Sequence, residues 1–521
     1  MIAGRIALEL GRLDSAREEL GQTNRARHHG PVELRAYAWH AEALLRLAAG
    51  DRHGADRALR TGMGVLDRYR ASLGATDLRA HVSGHAGDLA ALGLQLAFED
   101  GRPDRVLAWA ERWRASSLRL RPVRPPEDPV LEANMAELRQ VAGQVRDAAL
   151  TGQPSTRLLH RQAALEEAVR RRSRHARGPT AAGPGAPPSA RSIGSALGDR
   201  VLLELVELRG ELYAVVVDGR MTDLRRLGSI EEVDKELEAL RFALRRLGRG
   251  HGTPASLAAA GQAASYAAGA LDRLLIEPLS AQLQDRPLVV VPTGALHALP
   301  WSALPSLTGR PLTIAPCAAF WHQVPGSGAK QHRDRGPKRT VLVAGPALAH
   351  ALPEVSELAA RYPRARLLSD RQATVDNVIA ALDGADLAHV AAHGSFRADN
   401  PLFSFLELAD GRLTVYDLQA LKRAPRTLVL SACESGLSSV TPGDELMGLA
   451  SALFALGTRS LVATVVPVPD AATRSFVLAV HAWLRAGLPP SVALARAQAS
   501  TTGSGPRALA ASVGFVCFGA E

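Results

Sequence analysis

The chain has 521 residues, 46% of them hydrophobic, which is enough for about two to four domains with cores of ordinary size. Its net charge of +10 rests mainly on arginine while aromatic residues make up only 4%, so a nucleic-acid surface of stacking rings among basic side chains is not indicated. There is no uninterrupted apolar run of about 18 residues, and Met1 to Ile6 lacks a basic segment leading into an apolar one, so neither a membrane span nor an export signal is expected.

From Met1 to about residue 125 the pattern is helical, with turns at Gly11-Arg-Leu-Asp, Gly50-Asp-Arg-His and Gly101-Arg-Pro-Asp. In each, glycine ends one amphipathic segment and a polar residue opens the next, the signature of helix hairpins. The turns are 39 and 51 residues apart, so the repeat is a degenerate form of the tetratricopeptide period of about 34. Such an array either presents a concave surface to a protein partner or serves as a scaffold packed on its neighbour. The first hairpin begins without a polar capping helix, as expected of a short version, or a remainder, of a longer array.

Residues 126–178 read as a long antiparallel helix pair. Leu131, Met135, Leu138, Ala142 and Val145 form an a/d seam, Gly152-Gln-Pro154 breaks it, and Leu158, Leu165 and Val169 resume it. The terminal Arg170-Arg-Arg-Ser-Arg-His-Ala-Arg177 reads as a nucleic-acid patch or, more simply, as a solvated cationic helix end. Residues 179–198, rich in Pro, Gly and Ala, read as a linker.

A different composition follows over 199–521. Val201–Leu208 and Glu211–Val217 predict a β-hairpin, and helices are expected at 230–247 and 254–283. Strands at 287–292, 312–316, 340–344, 365–368, 386–392, 427–431 and 460–465 alternate with helices at 354–362, 374–382, 444–456 and 471–485. This βα alternation predicts an α/β domain, a mostly parallel sheet with helices on both faces.

Two of those strands end on a reactive side chain near a glycine: Asp386-Leu-Ala-His-Val-Ala-Ala-His393-Gly394 and Thr427-Leu-Val-Leu-Ser-Ala-Cys433-Glu434-Ser-Gly436. Ligands in open α/β sheets sit outside the carboxyl ends of the strands. The forty residues from His393 to Cys433 suffice for one crossover with an inserted hairpin, 402–413, and a short helix, so the strands can be neighbours. Cysteine attacks as its thiolate, which a facing imidazole would generate. The backbone N–H groups of Gly394 and Cys433 are candidate oxyanion donors. Taken singly, Cys433 reads as a small buried hydrophobe at a strand end as readily as a nucleophile, and His393 more readily as a structural histidine.

The pair, with its surroundings, resembles the CHAT family of caspase-like cysteine proteases, relatives of the separases in the caspase and gingipain group. The matching segments are His389-Val-Ala-Ala-His393-Gly394, Ser431-Ala-Cys433-Glu434-Ser-Gly436, Gly443-Asp444-Glu445-Leu-Met-Gly448, Leu296-His297-Ala-Leu-Pro300-Trp301, Pro467-Val-Pro-Asp470-Ala-Ala-Thr473 and Phe515-Val-Cys-Phe-Gly519. The resemblance implies a caspase-like domain behind tetratricopeptide-like helices, with His393 as general base and acid and Cys433 as nucleophile. The composition is of actinobacterial type. His389, Cys317 and Cys517 are expected to be structural. Ala463-Thr-Val-Val466 stands where relatives commonly carry Ser-Leu-Trp, which bears on the substrate pocket.

The expectation is therefore a cysteine endopeptidase acting on protein or peptide, with a protein partner on the helical region. Neither a metal nor an organic cofactor is expected, nor is a membrane or nucleic-acid partner. With three cysteines in no paired or metal-ligand spacing, a reducing cytoplasm is the expected compartment. Glu434, Asp444 and Glu445 are candidate pocket acids for a basic substrate side chain, and Asp444 and Glu445 read more simply as caps of the following helix. The alternatives are a catalytically silent interaction scaffold and a serine hydrolase through Ser431 or Ser435. Neither serine sits in the Gly-x-Ser-x-Gly turn that the latter requires.

Overall fold

The computed structural model describes the chain apart from residues 74–75, 115–117, 119–127, 154, 175–185, 250–251, 324–338, 347, 398, 432–438, 442–444, 502–504 and 521. It forms two compact units, Met1–Val123 with Arg174–Ala190 and Thr441–Glu445, and Arg124–Ser173 with Arg191–Val440 and Leu446–Glu521. Among the described residues, no helix is long and apolar enough to cross a membrane.

The first unit holds α1 (Ile2–Glu9), α2 (Leu13–Asn24), α3 (Val32–Ala48), α4 (Arg52–Ser72), α5 (Thr76–Gly84), α6 (Gly87–Glu99) and α7 (Pro103–Trp113). Gly11, Gly50 and Gly101 end α1, α3 and α6 with φ of 70°, 79° and 62°, a left-handed conformation that glycine adopts without a Cβ penalty. The Asp51 carboxylate accepts from Gly54 N–H at 2.7 Å and caps α4. Trp109 is buried, with its indole N–H donating to Asp56 at 3.0 Å. Its ring lies so close to Gly93 that a Cβ there would come within 2.5 Å.

The second unit begins with the expected helix pair, α8 (Pro129–Leu150) and α9 (Thr156–Ser173). Met135, Leu138 and Ala142 are buried on α8, as are Leu165 and Val169 on α9. The stretch expected as linker contains α10 (Ala190–Leu197), whose Ile193 and Leu197 are fully buried. Two apolar residues four apart were enough to anchor a turn of helix that Pro and Gly content hides.

Then follow β1 (Val201–Leu208), β2 (Glu211–Val217), β3 (Thr222–Ser229), α11 (Ile230–Arg249), α12 (Pro254–Leu275) and α13 (Ser280–Leu283). α12 stops before Pro278, whose missing N–H cannot continue the ladder. Strand β3 was not expected from the sequence. Among the described residues it pairs only with β2, and it carries Arg225 and Arg226, the charged composition of a sheet edge. Next come β4 (Leu288–Val291), β5 (Leu312–Ile314), α14 (Ala318–Gln323), β6 (Thr340–Ala344), α15 (Ala351–Arg361), β7 (Arg366–Leu368), α16 (Val375–Leu382) and β8 (Leu387–Ala391).

Strands β9 (Gly394–Ser395), β10 (Phe405–Leu408) and β11 (Gly411–Thr414) form a separate three-stranded sheet, followed by α17 (Val415–Leu418). Strand β12 (Thr427–Ser431) returns to the main sheet; β13 (Ser439–Thr441) and β14 (Glu445–Met447) make a two-stranded one. The chain closes with α18 (Leu449–Ala455), β15 (Ser460–Thr464), α19 (Asp470–Arg485), α20 (Pro490–Ser500), α21 (Pro506–Gly514) and β16 (Phe515–Gly519).

The main sheet has eleven strands in the order β3-β2-β1-β4-β5-β16-β15-β12-β8-β6-β7. Pairings from β4 onward are parallel except β15 with β16. On one face Leu342, Leu387, Ala391 and Val429 pack with α15 and α19 through Val355, Leu358, Phe476 and Val480. On the other Val390, Leu428 and Leu430 meet Val378, Leu406, Leu418 and Leu453. Burial on both faces explains why β8 and β12 read as continuous apolar runs.

Candidate active site

Strands β8 and β12 are neighbours, in parallel register from Leu387 opposite Thr427 to Ala391 opposite Ser431. Their carboxyl ends therefore finish level at one edge of the sheet. In the sequence His393 follows Ala391 by two residues and Cys433 follows Ser431 by two. Cys433, Glu434 and Asp444 lie outside the described residues.

His393 is exposed, on a backbone held from two sides. Gly345, just past β6, donates its N–H to Ala391 O at 2.7 Å, and Glu407 of β10 donates its N–H to His393 O at 2.8 Å. Gly345 stands where nothing larger fits: a Cβ would lie 2.7 Å from both Ala392 Cβ and Glu407 O. β9 runs antiparallel to β10, with Gly394 opposite Leu406. Because the ladder bond reaches His393 O, Gly394 and Leu406 form a non-hydrogen-bonded pair, which directs the Gly394 N–H away from β10.

Four residues before His393, His389 is fully buried. Its Nε2 lies 2.9 Å from Glu354 Oε1 on α15, and its Nδ1 lies 3.2 Å from Nε2 of His481 on α19. His481 Nδ1 is in turn 3.1 Å from the Tyr362 hydroxyl. Burial, then the neighbouring His389 and Arg361, hold the His481 pKa well below its ordinary value. Burial also raises that of Tyr362. This polar chain ties β8 to both helices beneath it, the structural role expected of His389.

Cys317 and Cys517 are buried thiols, at 0% and 1% exposure. Phe320 N–H donates to Cys317 Sγ at 3.3 Å, and Cys517 sits in β16 opposite Val462. Glu445 does not begin a helix. It lies in β14, and α18 starts at Leu449 behind Gly448, whose N–H donates to Ser451 Oγ at 3.1 Å. Glu445 is therefore not a cap of that helix: from Glu445 the apolar pattern that suggests helix begins with a strand and a glycine at φ 149°. Two residues that the sequence reading passed over, Gly345 and Glu407, hold the His393 backbone. Gly345 follows the apolar run of β6, as Gly394 closely follows that of β8, and that repeat was the available signal. Among the described residues no group of three or more His, Cys, Asp or Glu is arranged to hold a metal ion.

A mostly parallel sheet with helices on both faces, behind an all-helical region, defines an α/β protein. Residues 266–509 match the family model of the CHAT domain, the family that the motifs resemble. The structure is similar to two of the Saccharomyces cerevisiae separase–securin complex. One, at 3.0 Å resolution, aligns with a TM-score of 0.50 and 9% identity over 99% of this chain and 46% of that chain. The other, at 2.6 Å, aligns with a TM-score of 0.46 and 10% identity, with the same coverage. At that identity the first establishes a shared fold. The chain spans less than half the length of those proteins. No curated protein matches it in sequence.

Proposed function

We propose that the C-terminal unit is a cysteine endopeptidase. His393 takes the proton from the Cys433 thiol, and the thiolate attacks the scissile carbonyl carbon, whose π electrons move onto oxygen. The Gly394 N–H, directed away from β10, and the N–H of Cys433 stabilise that oxyanion. Its collapse expels the amine, which takes the proton from His393. Water, deprotonated by the same imidazole, then hydrolyses the thioester and restores the thiol. The observation that carries this reading is the level register of β8 and β12, with Ala391 and Ser431 paired. Each strand has its reactive residue two positions further on in the sequence.

Glu434, Asp444 and Glu445 are proposed to line the pocket for a basic substrate side chain, in a protein working in the cytoplasm. The helical hairpins of residues 1–125 are proposed to act in the manner of tetratricopeptide repeats, recruiting a protein partner or restraining the protease. The similar yeast structures are of separase with securin, which motivates a protein partner here. The test pairs a cysteine-directed activity probe with cleavage of peptides ending in Arg, Lys, Met or Asp. The parent is expected to label and cleave after Arg or Lys, and Cys433→Ala to do neither. Equal labelling and cleavage by the variant overturns the mechanism. A parent that neither labels nor cleaves favours the silent scaffold.

A further inference from the structure

The chain between His393 and β12 does not return directly. It builds the small sheet β9–β11, and α8 and α9 lie against that sheet. A Cβ on Gly411 of β11 would come within 3.2 Å of Arg139 Cβ on α8, so the two backbones are in close approach. Met135, Leu138 and Ala142 of α8 line a crevice with Phe403 and Thr414, beside the charged side chains of Arg139, Glu166 and Arg412.

Around that contact each buried carboxylate finds an arginine on the other element. Asp417, just past β11, pairs with Arg139 at 2.9 Å. Glu407 of β10 pairs with Arg146 of α8 at 3.2 Å, with Arg412 behind it at 3.7 Å. In the opposite sense Glu166 of α9 accepts from Arg397, three residues past Gly394, and from Asn400 at 3.5 Å. Gln162 fixes the Glu166 carboxylate from its own helix at 2.8 Å. Residue Glu407 is the junction. Its side chain holds α8, and its backbone N–H holds His393 O at 2.8 Å.

β9 is only two residues long, and β10 at His393 O and Gly345 at Ala391 O both restrain the backbone around His393. We infer that the helix pair α8–α9 is a positioning strap for the histidine of the proposed dyad, acting through Arg146–Glu407 and Glu166–Arg397. The inference rests on the cysteine-protease reading for its kinetic consequence, though not for its structural one. Arg146 and Glu166 act through the backbone at His393 and are positioning residues. Anything that lifts the helices from the small sheet releases the imidazole from its attack geometry.

The test uses the full chain with Arg146→Ala, Arg146→Glu, the conservative Arg146→Lys, and Arg161→Ala as a control. Arg161 pairs with Glu137 within the helix pair and does not reach the small sheet. Amide hydrogen exchange over residues 405–408 reports the bond to His393 directly. Arg146→Ala is expected to speed it about tenfold, with exchange over 427–431 unchanged. In cleavage assays kcat is expected to fall about tenfold or more at constant KM in Arg146→Ala, as for a slightly misplaced catalytic group, and Arg146→Lys to retain most of it. Arg161→Ala is expected to match the parent in both. Unchanged exchange over 405–408 in Arg146→Ala overturns the strap. So does a variant in which exchange rises while kcat is retained. A parent without cleavage overturns the protease reading alone, and the exchange measurement then decides whether the strap holds this backbone.

Discussion

His389 Nε2 and Glu354 Oε1 face each other at 2.9 Å with neither side chain exposed beyond 3%. A carboxylate at that depth needs its partner. Removing one member of a buried pair leaves the other uncompensated and typically destabilises a fold by about 3–5 kcal/mol. His389→Leu, which strands the Glu354 carboxylate, is expected to lose that much in urea unfolding, and the double variant Glu354→Leu/His389→Leu less than the sum of the two single changes. Additive losses would mean that the pair is not coupled.

Acid should weaken the helical unit through His40 on α3. Its side chain is buried, its Nδ1 has no hydrogen-bond partner among the described residues, and burial lowers its pKa from 6.5 to about 4, outweighing the opposing effect of Asp88. The folded state therefore binds this proton less readily than the unfolded one. Stability from neutral His40 is complete above pH 6.5, falls as the pH drops towards 4, and is gone below it. At about 1.4 kcal/mol for each tenfold change in proton affinity, the full effect is about 3 kcal/mol. Circular-dichroism unfolding of the parent and His40→Leu at pH 7.5 and 4.5 checks this. The parent's midpoint should fall more than the variant's.

Gly345→Ala is a sharper probe of the candidate site than any change at its surface. The added methyl would lie 2.7 Å from Ala392 Cβ and from the backbone oxygen of Glu407, so β6, β8 or β10 must move. The expected destabilisation is about 1–3 kcal/mol, the range for overpacking a filled core. If the protease reading holds, kcat falls with it. A variant with the parent's Tm and kcat would mean that the three strand ends are looser than their hydrogen bonds indicate.

What the sequence disclosed, and what it hid, follows from the range of the interactions. Gly11, Gly50 and Gly101 announce their turns because a left-handed residue between amphipathic segments is a local demand. The strands ending before His393 and Cys433 announce themselves because both of their faces are buried. The bond between Arg146 and Glu407 leaves no such mark, since 261 residues separate two ordinary charged side chains. The same holds for His389 and His481, 92 residues apart. β3 was hidden by its edge chemistry, and β14 because Glu445 to Met447 continue smoothly into the apolar face of α18. Local chemistry names the reactive residues, while the supports that fix the backbone are tertiary.

Thiol chemistry separates the three cysteines. Cys317 and Cys517 are 0% and 1% exposed, so neither should meet a reagent while the fold stands. A thiol that must reach a substrate has to be accessible, and one beside an imidazole should react faster than an ordinary cysteine. Native protein treated briefly with iodoacetamide is expected to take one label, at Cys433, and Cys433→Ala none. After denaturation the parent should take three and the variant two, matching the three cysteines of the chain. His393→Ala is expected to keep the single native label but slow its formation, with the pH at half-rate moving up towards that of an unassisted thiol of about 8.5. Labelling of His393→Ala at the parent's rate and pH dependence would remove the imidazole from the proposed dyad, whatever the peptide assays report.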